Sequence, residues 1–226
     1  MSTPRSNLTL AFDLDGTLVD TAPDLAAATN HALADLGLAP VSAAVLRPAI
    51  GLGARHMIAT GLAATGKTLA EPEMNRLHAR FLGYYEANIA AESRPFDGAV
   101  RALERFRERG MRLAVCTNKR EGLSRQLLEA LGLMSLFDAL AGRDTFPVNK
   151  PHPGHLTGAI KLAGGEPARA LMIGDTGVDI ATARAAEIPV IACSFGYSDV
   201  PLADLAPDRL VHHFNEIEAA VSSLTS

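Results

Sequence analysis

The sequence predicts an α/β protein: a parallel sheet with helices on both faces, plus a helical unit inserted into it. Three observations lead there. Short apolar runs rich in β-forming residues alternate with stretches of helical periodicity, as a parallel sheet with covering crossovers requires. One long stretch breaks the alternation and carries helix signals only. The apolar runs also end in polar residues, several of them acidic.

The elements follow in chain order. LTLAFDL (residues 8–14) reads as a buried strand. From residue 19 to about 96 only helix signals appear, notably DLAAATNHALADLG and EPEMNRLHARFLGYYEANIAA. A crossover between parallel strands needs only about a dozen residues. The stretch is therefore read as an insert with turn-like flanks, DTAPD and SRPFDG. The domains are drawn at 1–18 plus 95–226 for the core and 19–94 for the insert. GAVRALERFRERG repeats apolar residues at helical spacing and ends at Gly110, a natural C′ residue. RLAVCT (112–117) is the next strand, and REGLSRQLLEALG the next helix, ending at Gly132. LFDAL, near Phe137, is a weaker strand. A helix at 154–163, the strand ALMIGD (170–175) and a helix at 178–186 come next. PVIACS (189–194), the weaker DRLVH near Leu210 and a helix at 216–224 complete the series.

Bulk composition excludes several classes. The 226 residues are 48% hydrophobic and 20% charged, ordinary for a globular chain. A formal net charge of -4 provides no basic field, so no nucleic-acid partner is expected. Cys116 and Cys193 lie in apolar runs and form neither a disulfide framework nor a zinc spacing. That usage fits a reducing cytoplasm. The N-terminal MSTPRSNLTL lacks a signal-peptide core and no run of 18 apolar residues occurs, so neither membrane insertion nor export is expected. A monomer or homodimer is expected.

The chemistry sits at the strand ends. Asp13 and Asp15 follow the first run, Thr117 and Asn118 the second. Asp175 follows ALMIG, with Asp179 four residues on, one turn into the next helix. The insert leaves directly after the aspartate pair, which places it over the edge of the sheet where open α/β folds bind ligands. Two carboxylates 4 Å apart repel by about 4 kcal/mol at an effective dielectric of ~20. A cluster of them raises its own pKa values or collects a cation. Oxygen-only ligands suit Mg²⁺. Lys150, before Pro151, starts from extended backbone and supplies a second cation. A carboxylate nucleophile, a divalent ion, a lysine, a hydroxyl and an amide together suit a phosphoryl dianion. The second carboxylate then protonates the leaving alkoxide and later deprotonates water.

With DLDGT, CTN, KP and GDTGVD in this order, the sequence resembles the haloacid dehalogenase (HAD) superfamily. FDLDGTLVDTAPDL is similar to its phosphoglycolate phosphatase-like group, and the resemblance spans nearly the whole chain. It implies a Rossmann-like core and an inserted α-helical cap of the C1 type. It also implies a Mg²⁺-dependent phosphatase acting on a small phosphorylated metabolite, 2-phosphoglycolate first, through an aspartyl-phosphate. Asp13 would carry the phosphoryl group and bind Mg²⁺. Asp15 would be the general acid/base, its backbone carbonyl on the metal. Thr117 and Lys150 would hold the phosphoryl group, with Gly16 and Asn118 beside it. Asp175 would ligate Mg²⁺, while Asp179 would support the metal and orient Lys150. AIGLGARHMI (49–58) resembles the group's substrate loop. Gly51 and Gly53 would allow close backbone approach, and Arg55 would grip a substrate anion with its fork. Two positions depart from the pattern: Val178, where relatives often carry a polar residue, and Glu187, where they often use glycine. Lys119 reads as a solvated side chain. A phosphosugar mutase and a non-catalytic phosphometabolite-binding module stay open as alternatives.

Overall fold

The structure, a computed structural model, describes residues 7–225. The expected lack of a signal-peptide core falls largely on residues 1–6, outside that range. Strand β1 (Thr9–Phe12) turns into β2 (Val19–Asp20). Helices α1 (Ala22–Ala34), α2 (Ala43–Leu46), α3 (Ala54–Ala64) and α4 (Glu71–Ala87) follow before β3 (Arg94–Pro95). The chain continues as α5 (Ala99–Glu108), β4 (Arg112–Cys116), α6 (Glu121–Ala130), β5 (Ala139–Ala141) and α7 (Pro153–Leu162). It closes with β6 (Ala170–Gly174), α8 (Gly177–Ala185), β7 (Val190–Cys193), β8 (Arg209–Val211) and α9 (Ile217–Thr225).

Six strands form one sheet in the order β5-β4-β1-β6-β7-β8, every neighbouring pair parallel. This is the expected α/β class. Strand residues alternate between two apolar cores, as a period of two demands. Leu10, Phe12, Leu113, Val115, Leu171 and Ile173 face one core with Leu103, Phe106, Leu127 and Val221. Ala11, Ala114, Cys116 and Met172 face the other, with Leu156 and Ile160 of α7 and Ile180 of α8. Both cysteines are free and buried. No helix among the described residues is long and apolar enough to cross a membrane.

The stretch expected to hold helices alone also holds β2 and β3. They pair antiparallel at the two ends of the insert, Val19 opposite Pro95 and Asp20 opposite Arg94. Two-residue strands carry no periodicity to read. Asp24, in the first turn of α1, reinforces this junction. Its buried carboxylate accepts the Glu92 N–H (3.0 and 3.1 Å), the Ser93 N–H (2.8 Å) and the Ser93 hydroxyl (2.7 Å). At the far end of α8, Glu187 adopts φ 56°, the left-handed conformation that a glycine would favour.

Candidate active site

Register explains why distant residues meet. Phe12, the last residue of β1, lies opposite Val115 and Ile173 of its two neighbours. Asp13 therefore leaves the sheet beside Cys116 and Gly174, and Thr117 and Asp175 are the next residues out. The Asp13 N–H still donates to the Ile173 carbonyl (2.9 Å). Asp175 and Asp179 are completely buried, and Asp13 and Lys150 nearly so.

Lys150 Nζ lies 2.6 Å from Asp179 Oδ1 and 3.0 Å from Asp13 Oδ1. Asp13 Oδ1 also accepts the Leu14 N–H (2.7 Å). Asp179 is fixed from behind: its Oδ2 accepts the Thr176 N–H (3.0 Å) and hydroxyl (2.7 Å), a capping box that opens α8. Asp175 Oδ1 accepts the Thr17 hydroxyl, and Oδ2 the Tyr197 N–H, both at 2.7 Å. Asp15 Oδ1 accepts the Thr21 hydroxyl (2.7 Å). Burial pushes the Asp13 carboxyl up to about 6; Lys150 opposes this, while Asp179 and Asp15 add to it. Burial, with Asp13 and Asp179, also holds Asp175 well above the usual range. Lys150 is shifted the other way from what its burial alone dictates, because Asp13 and Asp179 keep the ammonium charged.

The charge count bears on a metal. Asp13, Asp15, Asp175 and Asp179 are four carboxylates, and the ammonium groups that reach them are Lys150 and Lys119. Four minus two leaves a formal deficit of two positive charges. Oxygens of Asp13, Asp175 and Asp179 all lie within 4.8 Å of one another. Among the described residues no cation touches Asp175; neutral donors engage it. A buried carboxylate in that position is costly unless an ion joins it. The set fits a small divalent cation with oxygen ligands, as expected. Three glycines make room for these carboxylates. A Cβ at Gly16 (φ +85°) or Gly196 would overlap Asp175, and one at Gly174 would overlap Asp179.

Above the acidic cluster lies a cavity of about 810 Å³. Of the residues singled out by sequence, Asp13, Asp15, Gly51, Gly53, Arg55, Thr117, Asn118 and Lys150 line it. Gly16 is buried below, against Asp175 and Tyr197. Asn118 donates to the Lys150 carbonyl (3.0 Å), so it braces the lysine's backbone. Arg55 reaches Glu71 (2.6 Å) and Asn75 on an exposed face of the insert. Val178 lines the cavity as well.

Lys119 is the clearest correction. It is not solvated: its side chain is 7% exposed and sits on Asp15. Tyr197 also escaped the sequence reading. Its hydroxyl accepts the Thr21 and Ala22 N–H groups (2.7 and 3.0 Å) and donates to Asp20 (2.6 Å), while its own N–H holds Asp175. One residue, through its backbone N–H and its hydroxyl, thus links the acidic cluster to the root of the insert. The rim is cationic: burial lowers the His78 pKa first, and Arg55, Arg120 and Arg143 lower it further.

The model of the haloacid dehalogenase-like hydrolase family matches residues 10–193. A phosphoglycolate phosphatase of Mesorhizobium japonicum is 48% identical over 92% of both chains. One from Agrobacterium fabrum is 44% identical over 97% of this chain and 94% of its own. The crystal structure of a predicted phosphoglycolate phosphatase from Haemophilus somnus superposes with a TM-score of 0.88 at 32% identity. It covers 96% of this chain and 99% of that one. The matched span contains every acidic residue of the cluster, and the chain therefore belongs to the haloacid dehalogenase-like hydrolase family, in its phosphoglycolate phosphatase group.

Proposed function

We propose that this phosphoric monoester hydrolase releases phosphate from a small phosphorylated metabolite, 2-phosphoglycolate first, through an aspartyl-phosphate on Asp13, with Mg²⁺ as its cofactor. One observation carries the reading. Three buried carboxylates, one after β1 and two from the β6–α8 junction, converge beside one buried lysine, and Asp13 and that lysine open onto the cavity. Asp13, Asp175 and the Asp15 carbonyl would hold Mg²⁺, with Asp179 behind them; bound there, the ion supplies positive charge to the phosphoryl oxygens.

The chain's own groups do the rest. Lys150 and Thr117 bind equatorial phosphoryl oxygens, and Lys150 arrives pre-aimed because Asp179 holds it. A carboxylate oxygen of Asp13 attacks phosphorus as the ester oxygen departs. Asp15 gives that oxygen its proton, so an alcohol leaves. Asp15, now a carboxylate, takes a proton from water, and the hydroxide released attacks phosphorus. Asp13 leaves as a carboxylate and orthophosphate forms.

The helical insert, residues 19–94, acts as the cap in this reading, rooted at its two ends by the paired strands β2 and β3. The substrate assignment draws on the cationic rim, where Arg55, Arg120 and Arg143 suit a second anion beyond the phosphoryl group, and on the names of the relatives. Two buried free cysteines accord with action in the cytoplasm.

A panel of phosphorylated metabolites with Mg²⁺, assayed for free phosphate, tests the proposal. The expected result is release led by 2-phosphoglycolate and abolished in Asp13→Asn. Absence of release across the panel would overturn the phosphatase reading. Isomerised sugar phosphate without free phosphate would assign a mutase instead.

A further inference from the structure

Lys119 is an expensive residue to bury. An ammonium group taken out of water costs several kcal/mol unless close partners compensate it. Its Nζ lies 3.1 and 3.2 Å from the two oxygens of Asp15 and 2.7 Å from the Tyr85 hydroxyl. The same ammonium stands 4.4 Å from the centre of the Tyr85 ring. Three N–H bonds thus meet three oxygens, which exhausts the donors of a lysine. Lys150 cannot substitute for it, being committed to Asp13 and Asp179.

The three partners come from three segments. Asp15 follows β1, Lys119 follows β4, and Tyr85 belongs to α4 of the insert, where it is 1% exposed. A carboxylate alone swings broadly about its last torsion. Here an ammonium spans both oxygens, and the Thr21 hydroxyl holds one of them again. Proton delivery needs the donor within about 2.6–3.2 Å of the accepting atom, so the orientation of Asp15 bears directly on rate.

We propose that Lys119 is a positioning residue for Asp15, aimed by Tyr85, so that the insert contributes one polar group to the proton-transfer step. The inference rests on Asp15 acting as the general acid and deepens that reading. With Tyr85 against the core, Lys119 is capped and Asp15 is held; without the Tyr85 hydroxyl the ammonium loses one of its three acceptors.

The test compares two monoesters on the full-length protein with Mg²⁺. The alcohol of 2-phosphoglycolate needs a proton to leave; the nitrophenolate of p-nitrophenyl phosphate departs as the anion. Lys119→Met is expected to lower both kcat and kcat/KM for 2-phosphoglycolate about 100-fold, the low end of a general-acid contribution. It should change kcat/KM for p-nitrophenyl phosphate by less than about threefold. Lys119→Arg should restore part of the loss. Tyr85→Phe, which keeps the ring and removes only the hydroxyl, should reproduce the same selectivity at smaller size. Equal losses of kcat/KM on both esters would overturn the proposal and leave Lys119 a packing residue. A rise confined to KM for 2-phosphoglycolate would also overturn it and assign Lys119 to the substrate. If the wild-type protein releases phosphate from neither ester, the phosphatase reading falls and this inference with it.

Discussion

Replacing Asp24 by alanine tests how the insert is rooted. The carboxylate is 3% exposed and receives three donors from the far end of the insert, the N–H of Glu92 and the N–H and O–H of Ser93. Ser93 is fully buried, so its two donors would find no water. Glu92 is exposed, and its N–H would be hydrated. Each buried donor left unpaired costs about 1–3 kcal/mol. The first-turn charge of α1 adds up to about 1 kcal/mol. A total of roughly 3 kcal/mol follows, and at about 2–4 °C per kcal/mol for a chain of this size Tm falls by roughly 6–12 °C. Asp24→Asn keeps one carbonyl acceptor and should lose about half as much. Differential scanning calorimetry of the three proteins reads both values. An alanine variant within about 2 °C of wild type would show that the junction does not depend on these hydrogen bonds.

Three further outcomes are expected. Gly174→Ala drives a methyl into the Asp179 carboxylate; displacement of Lys150 should cost about 100-fold in kcat/KM, read in the phosphate assay. Glu187→Gly relieves a left-handed non-glycine residue and should stabilise by about 1 kcal/mol, seen as a rise in Tm with unchanged turnover. Asp13 has its carboxyl raised from the ordinary 3.8 to about 6 in the folded chain. Its contribution to stability is therefore complete below about pH 4 and lost as pH climbs through 6. In metal-free protein Tm should decline across that window relative to Asp13→Asn, and Mg²⁺ should raise Tm more at pH 7 than at pH 5. A metal-free Tm difference that stays flat across the window contradicts the assignment.

Much of the site was legible because it lies where apolar runs stop. Asp13, Thr117 and Asp175 are each the first polar residue after a buried strand, and parallel strands of matched register end at one edge. Asp179 could be placed from helical spacing alone. Lys119 could not. Its neighbours in sequence are polar, and the groups that bury it lie 34 and 104 residues away. Tyr85 was hidden for the opposite reason: within α4 it reads as one more member of an apolar stripe, and only its hydroxyl meets Lys119. Asp24 and Tyr197 act through backbone N–H groups, which leave no mark on composition. Arg55 was visible as a candidate anion contact, yet its pairing with Glu71 and Asn75 depends on how α3 and α4 pack. Periodicity records which face of an element is buried. It does not record which distant polar group completes a hydrogen bond.

The central claim is that folding gathers these acidic groups to hold one divalent ion. Calorimetric titration of Mg²⁺ into the metal-free protein at neutral pH, repeated on Asp175→Asn, tests it most directly. One Mg²⁺ per wild-type chain is expected, with loss of both that binding and phosphate release in the variant. An Asp175→Asn protein that binds Mg²⁺ and turns over like the wild type would contradict it.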